Sequence, residues 1–227
     1  MYLDSYLIYI LALIVVMLSQ SLLSSNYQKY RKMTTIHNMR GCDVAKFILN
    51  RNGIYDVEVV PSNHGTLSDF YDPTRKIVSL SSDIYYNSSI ASVAVAAHEV
   101  GHAIQHATGY AFIALRNKML PATQIASKFG WISIFLGLFL AFDTLFWFGV
   151  ISLIVVLLFQ LVTLPIELNA SNRAIQELTT YGIIEMSEVP SARKMLNAAA
   201  FTYVAALIST VAQILRILLI RDSRNRD

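Results

Sequence analysis

The chain has 227 residues, of which 55% are hydrophobic and only 15% are charged, so its composition excludes an ordinary soluble globular protein. The net charge of +3 is too small for an electrostatic nucleic-acid surface, and we expect no nucleic-acid partner. Cys42 is the only cysteine, which excludes an intrachain disulfide.

The first apolar block covers residues 6–23 and is long enough to cross a bilayer. A signal peptide is the alternative for an apolar segment at this position. However, the block follows Asp4 instead of a basic region, and it ends without a clear cleavage site. The sequence therefore predicts a retained transmembrane anchor.

A polar region follows, and its pattern is typical of a small α+β fold. The predicted elements are a helix over residues 41–52 and strands over residues 57–60, 66–71 and 76–80. Gly53 ends the helix, Pro61 ends the first strand, and the run from Asp72 to Arg75 forms a turn between the last two strands. A strand just before the next helix could bind an extended peptide along its edge.

The next predicted helix, residues 90–107, contains the most informative motif, His98-Glu99-Val100-Gly101-His102. Residues four apart share one helix face, so His98 and His102 can bind one metal ion. Zinc held in this way lowers the pKa of a bound water, whose proton Glu99 can accept. A hydrogen-bonded core histidine pair is the alternative, but small apolar flanking residues indicate burial, which such polar groups tolerate only with partners or a metal.

A long apolar block, residues 131–166, exceeds the length of one membrane crossing and is interrupted only by Asp143. Aspartate is a good N-cap, so we predict a tight turn at Asp143-Thr144 between helices at about 125–142 and 145–164. One strongly tilted helix is the alternative.

The last apolar block covers residues 198–220 and contains one charge, Arg216, which we expect to reach the membrane interface. Small residues recur at every fourth position, a pattern that favours close packing against another membrane helix. These residues are Ala198, Thr202, Ala206 and Thr210. An ordinary alanine-rich helix is the alternative. With this block, the sequence predicts about four transmembrane helices.

A catalytic zinc needs a third protein ligand. The metzincin pattern would place Gly and His where the chain has Gln105 and Thr108, so that class is excluded. His106 lies one further turn along the motif helix and is more typical of a supporting polar residue. We predict that Glu167 is the third ligand, because a lone carboxylate at the end of a membrane helix needs a partner. The predicted hairpin returns Glu167 to the membrane side of His98, although a glutamate solvated at the interface is the alternative.

Several segments together resemble the zinc-dependent membrane peptidases of the YugP type (zinc peptidase family 2). The segments are AHEVGHAIQH at 97–106, ELNASNRA at 167–174, NAAAFTYVAA at 197–206, LSDFYDP at 67–73 and VSLS at 78–81. The resemblance extends from about residue 30 to residue 219. It implies a multi-pass metallopeptidase of bacterial type with His98, His102 and Glu167 on zinc and with Glu99 as the base.

Two positions differ from the pattern of related proteins. Related gluzincins often have Asp four residues after the ligand glutamate, where it supports the site, but this chain has Ser171. The support of the site must therefore differ. Phe70 stands where members of the family usually have His.

The distribution of basic residues predicts the orientation in the membrane. Four crossings place most of them on the side of the motif, where the positive-inside rule predicts cytoplasm. On that side lie Lys29, Arg31, Lys32, Arg40, Arg116, Lys118, Lys128, Arg173, Arg193 and Lys194, and on the other lie Arg221, Arg224 and Arg226. We therefore expect a multi-pass protein of the cell membrane with a cytoplasmic catalytic side.

We expect a mainly α membrane protein with a small α+β, zincin-like catalytic region, in which a short β-hairpin or sheet precedes the motif helix. Five segments are predicted: an anchor (1–24), a metallopeptidase region (25–124), a transmembrane hairpin (125–165), a third-ligand helix with its connector (166–196), and a last helix with a tail (197–227).

The predicted function is zinc-dependent hydrolysis of peptide bonds at the membrane surface, in contact with membrane lipids. The expected substrate is a peptide or a membrane protein. A membrane scaffold or binding protein with a structural or vestigial zinc site is the alternative. The candidates for a hydrogen-bond donor to the reaction oxyanion are His106, Arg173, Tyr181 and Tyr203.

Overall fold

The computed structural model describes residues 2–63 and 65–224. It is mainly helical and contains a small three-stranded sheet, which is the predicted fold class. In chain order the elements are α1 (Tyr2–Tyr30), α2 (Gly41–Arg51), β1 (Glu58–Ser62), β2 (Phe70–Asp72), β3 (Ile77–Ser81), α3 (Ser82–Tyr86), α4 (Ile90–Ala107), α5 (Ala111–Phe139), α6 (Asp143–Thr180) and α7 (Val189–Arg224).

Four helices of the described chain are long and apolar enough to cross a membrane, as predicted. These segments are Tyr6–Tyr30, Ala111–Phe139, Asp143–Thr180 and Val189–Ser223. The turn between α5 and α6 lies at residues 140–142, immediately before the predicted position at Asp143. α5 begins earlier than predicted and ends three residues before its predicted end, and α6 extends beyond both of its predicted ends.

The predicted end of the second hairpin helix at about residue 164 was wrong, because α6 continues through Pro165 to Thr180. A proline inside a helix removes one backbone donor. Neighbouring helices and local adjustments can compensate for that loss in membrane helices. Glu167 therefore lies within a continuous helix.

The chain divides into two compact units. The helical unit contains the described residues of Met1–Gln20, Ala114–Pro165 and Phe201–Asp227. The motif unit contains Ser21–Ile113 and Ile166–Ala200.

Close helix packing stabilises the hairpin of the helical unit. A Cβ atom on Gly149 of α6 would lie 2.7 Å from the carbonyl oxygen of Gly130 and 2.4 Å from Cγ1 of Ile134, both on α5. Only glycine permits this approach. At the start of α6, Asp143 forms an ion pair with Arg221 of α7, with 2.9 Å between Oδ1 of Asp143 and Nη2 of Arg221.

The sheet of the motif unit has the strand order β1-β3-β2, with β1 parallel and β2 antiparallel to β3. The prediction that the strand just before the motif helix offers an edge to a peptide was wrong, because β3 lies at the centre of the sheet, and in the described part of the chain β1 and β2 form its edges. Two predicted boundaries were wrong. β1 continues past Pro61, which an edge strand tolerates. β2 begins only at Phe70, because Leu67 has a positive φ of 58° that interrupts extended backbone.

The motif helix α4 has the predicted bounds. Its N-cap is Ser89, whose Oγ accepts a hydrogen bond from the backbone N–H of Ser92 at 3.1 Å. A run of small residues allows neighbouring elements to pack closely. At Gly101, a Cβ atom would lie 2.8 Å from the carbonyl oxygen of Ala170. The crossing of α4 and α6 at Gly101 and Ala170 positions the site described below.

Candidate metal centre

Three potential metal ligands lie together where α4 and α6 cross. His98 and His102 come from α4, Glu167 comes from α6, and one candidate ligand atom from each lies within 4.8 Å of the others. The Nε2 atoms of His98 and His102 lie 3.4 Å and 3.6 Å from Oε2 of Glu167. All three side chains are mostly buried.

These distances fit the geometry of a zinc site. Tetrahedral zinc with bonds of about 2.0–2.1 Å holds its ligand atoms about 3.3–3.5 Å apart. The Glu167 carboxylate oxygen lies 3.4 Å and 3.6 Å from the imidazole nitrogens, close to that value. Charge-assisted hydrogen bonds would be shorter, at about 2.7–2.9 Å. The cluster therefore has the spacing of ligands around an ion, and two imidazoles with a carboxylate are a donor set suited to zinc.

The side chain of Gln105 fixes the orientation of His102. Its Nε2 donates hydrogen bonds to the carbonyl oxygen of Ile166 at 2.8 Å and to Oδ1 of Asn169 at 2.9 Å. The Oε1 atom of Gln105 is thus an acceptor, and it lies 3.0 Å from Nδ1 of His102. Nδ1 of His102 must then carry a proton, so the proton that a metal would displace lies on Nε2, whose lone pair is then directed toward Glu167.

Ser171 supports the other histidine. Its Oγ lies 3.2 Å from Nδ1 of His98, so this ring is also held from the side opposite its Nε2 atom. From the sequence we could infer only that the ligands are not supported by an aspartate at this position, as they often are in related gluzincins. In this chain, the hydroxyl at that position contacts a candidate ligand directly.

The buried Glu99 side chain interacts electrostatically with Asp69 and with His102. Burial raises the pKa of Asp69 to about 6, although the backbone N–H of Ser81 donates a hydrogen bond to its carboxylate at 2.7 Å. The charge of Glu99 contributes to this rise. The carboxyl groups of Glu99 and Glu167 both act on His102, and this negative charge favours a divalent cation.

Known proteins match nearly the whole chain. The family described as "Putative neutral zinc metallopeptidase" matches residues 5–222. The chain belongs to this zinc metallopeptidase family. The "Putative membrane protease YugP" of Bacillus subtilis (strain 168) is 42% identical over 202 residues, which make up 89% of this chain and 89% of that protein. Comparison with solved structures gives no match.

In the metal-free protein, the neighbouring carboxylates favour a proton on His102. Burial lowers the pKa of His102, but the neighbouring carboxylates of Glu167 and Glu99 outweigh it and raise the pKa to about 9. Metal binding therefore has to displace a proton from this imidazole.

The four residues predicted as candidate oxyanion donors lie in different surroundings. Nδ1 of His106 lies 3.0 Å from the hydroxyl of Tyr71 on β2. Nε of Arg173 donates to Oδ1 of Asn169 at 2.8 Å. Tyr181 packs edge-on against Phe47 of α2, with 5.6 Å between the ring centroids. Tyr203 belongs to α7 in the helical unit.

Sequence reasoning missed three contributors to this site: Gln105, Asn169 and Tyr71. In the sequence, Gln105 was used only to exclude the metzincin class. However, a glutamine three residues after a candidate ligand histidine in an apolar helix indicates a buried hydrogen-bond network, because its amide needs partners there. Asn169 and Tyr71 have no comparable local signal. Their contacts join segments that are far apart in the chain.

Proposed function

We propose that this protein is a zinc-dependent endopeptidase that hydrolyses peptide bonds of peptide or membrane-protein substrates at the membrane surface. The observation that carries the proposal is the spacing of His98, His102 and Glu167 beside the buried Glu99. Membership of the zinc metallopeptidase family supports the same chemistry. A purely structural site would not need a carboxylate next to the ligands.

The chain supplies both the metal ligands and the base. His98, His102 and Glu167 would hold zinc, which when bound polarises the scissile carbonyl. Glu99 accepts a proton from the attacking water and passes it to the nitrogen of the leaving amine. The water oxygen bonds to the carbonyl carbon, and the carbon–nitrogen bond then breaks.

The edge of β2 supports a peptide as the substrate. Among the described residues, β2 pairs with β3 alone, so its other edge can offer backbone groups to an extended peptide. β2 also contacts the motif helix through the Tyr71–His106 pair. A peptide added to this edge would therefore run beside the helix that contains Glu99.

The basic residues support a cytoplasmic location for the catalytic side. Fourteen of the 18 basic residues lie within residues 24–128 and 167–196, which the predicted topology puts on the side of the motif. On the opposite side, Arg221 is paired with Asp143, which reduces the free positive charge there. The four apolar helices place the catalytic residues in a membrane-anchored chain, which supports action on substrates at the membrane surface.

A Glu99→Gln variant tests the proposal. We expect the purified full-length protein to contain zinc and to cleave casein, and the variant to keep its zinc while its rate falls by about 10²–10⁴-fold. Glu58→Gln, the same substitution at an exposed position of β1, is the matched control and should cleave normally. Zinc measurement by atomic absorption and cleavage of labelled casein would check both variants. Zinc binding by the wild type without any cleavage of casein or membrane proteins would indicate a scaffold instead.

A further inference from the structure

The packing of α4 defines two flanks of the motif helix. Gly101 faces α6, where it crosses Ala170. Successive residues of a helix are rotated by about 100°, so His98 and His102 lie about 60° and 100° round from Gly101. Glu99 and His106 lie further round in the same direction, at about 160° and 140°. The base and His106 therefore share the flank that points away from α6, with His106 one turn beyond His102 and about 10 Å along the helix axis from Glu99.

The edge strand β2 meets this flank at His106. The hydroxyl of Tyr71 lies 3.0 Å from Nδ1 of His106, and the two ring centroids are 6.0 Å apart. Burial raises the pKa of Tyr71, with the charges of Asp56 and Asp72 adding to the rise, so its hydroxyl keeps its proton. With the tyrosine hydroxyl as the donor to Nδ1, which is the direction used in the proposal below, the N–H group of the imidazole lies on Nε2. His106 is exposed, so this Nε2–H group is accessible.

We propose that His106, oriented by Tyr71, donates a hydrogen bond from Nε2 to the oxyanion that forms when water attacks the scissile carbonyl. This role rests on the proposed peptidase function. Water adds to the carbonyl carbon, Glu99 carries its proton to the leaving nitrogen, and the carbonyl re-forms as the carbon–nitrogen bond breaks. His106 contributes only a hydrogen bond, so no net proton passes through it.

The other candidates fit this role less well. Arg173 follows Glu167 by six residues, so it is rotated by about 240° around α6 from Glu167. Its Nε donates a hydrogen bond to Oδ1 of Asn169. Tyr181 packs against α2 through Phe47, and the guanidinium of Arg51 lies over its ring at 5.8 Å. Of the candidates in the motif unit, His106 alone shares a helix flank with Glu99.

The test compares His106→Ala, His106→Gln and Tyr71→Phe in the full-length, zinc-loaded protein. His37→Ala replaces an exposed histidine that pairs with Glu185 and is the matched control. The measurements are zinc content, kcat and KM for labelled casein, and the affinity for a phosphinic peptide, whose tetrahedral group mimics the oxyanion.

We expect His106→Ala to keep its zinc and its KM while kcat falls by about 10²–10³-fold, the usual effect of removing an oxyanion donor. Its affinity for the phosphinic peptide should fall in parallel, and His106→Gln, which keeps an N–H donor, should recover part of both. Tyr71→Phe should lose about tenfold in kcat, and the Tyr71→Phe/His106→Ala double variant should be no worse than His106→Ala, because the tyrosine acts through the histidine.

A His106→Ala protein with kcat within threefold of an active wild type, or with lost zinc, would overturn the role of His106 alone. If the zinc-loaded wild type cleaves neither casein nor membrane proteins, the proposed function fails and this role fails with it. Unchanged affinity of His106→Ala for the phosphinic peptide would also overturn the role.

Discussion

At the scale of single residues, each imidazole of the cluster has a hydrogen-bond partner at Nδ1, the ring nitrogen that does not face Glu167. Ser171 contacts His98, and Gln105 contacts His102, in both cases at the Nδ1 atom. These contacts leave the Nε2 atoms directed to Glu167. Such outer contacts fix the ring orientation and the proton position of a metal ligand, so they contribute to metal affinity without touching the metal.

A Gln105→Leu variant should bind zinc about 10–100-fold more weakly than the wild type, the usual cost of losing an outer hydrogen bond to a ligand. The substitution removes the acceptor of His102 and leaves the carbonyl oxygen of Ile166 without this donor. Competition with a fluorescent chelator measures the affinity. Ser92→Ala, which removes another fully buried polar group of α4, should lower stability and leave zinc affinity unchanged. Equal zinc affinities for Gln105→Leu and the wild type would contradict the positioning role.

The pKa of His102 predicts how zinc affinity depends on pH. In the metal-free protein this pKa is raised from 6.5 to about 9, so the folded state binds a proton more tightly than the unfolded chain. The resulting stability is fully present below about pH 6.5 and is lost as the pH rises to about 9. Zinc competes with this proton, so its apparent affinity should rise by up to tenfold per pH unit between those values and then level off.

Chelator competition from pH 6 to pH 10 would measure this dependence. In Glu167→Gln the carboxylate charge is absent, so the affinity should be lower and should level off nearer to neutral pH. A flat profile in the wild type would show that no proton is displaced from His102.

At the scale of elements, the site depends on how closely α4 and α6 approach each other. Gly101 has no side chain, and the carbonyl oxygen of Ala170 occupies the space that a Cβ atom would need. The clash would be with backbone, which cannot rotate away as a flexible side chain can. The crossing thus sets the distance between the two histidines on α4 and the glutamate on α6.

Gly101→Ala should therefore weaken both the fold and the metal site. Overpacking costs about 1–3 kcal/mol, more than the gain in helix propensity of up to about 1 kcal/mol. Thermal unfolding and zinc competition would measure the two effects. Ala103→Gly, a nearby change that removes a methyl group from α4, should lower the unfolding temperature and keep zinc affinity. Wild-type zinc affinity in Gly101→Ala would argue against the crossing as the determinant of ligand spacing.

At the scale of the whole molecule, the four candidate spans and the distribution of basic residues predict the topology. In this prediction, the hairpin turn before Asp143 faces the outside of the cell, and the motif unit faces the cytoplasm. Cys42 is buried, so a Cys42→Ala background allows introduced cysteines to be labelled selectively.

Thr144→Cys, at an exposed position beside the turn, should react with a membrane-impermeant maleimide in intact cells. Tyr55→Cys, at a position 79% exposed in the motif unit, should react only after the cells are permeabilised. Labelling of Tyr55→Cys alone in intact cells would reverse the predicted orientation.

The sequence by itself determined the features that depend on local periodicity. The pairing of His98 with His102 on one face, the bounds of α4 and the break at Asp143 all follow from residue spacing along one segment. Where local rules failed, tertiary context was the reason. β1 continues through Pro61 at a sheet edge, and α6 continues through Pro165.

Only the tertiary structure decided which distant residues meet. The partners of Gln105, His98 and Tyr71 lie 64, 73 and 35 residues away in the chain, at Asn169, Ser171 and His106. Helix periodicity fixes which residues share a face, but it contains no information about which face of another segment will pack there. That pairing depends on the shapes of the packed surfaces, such as the space left by Gly101 beside Ala170.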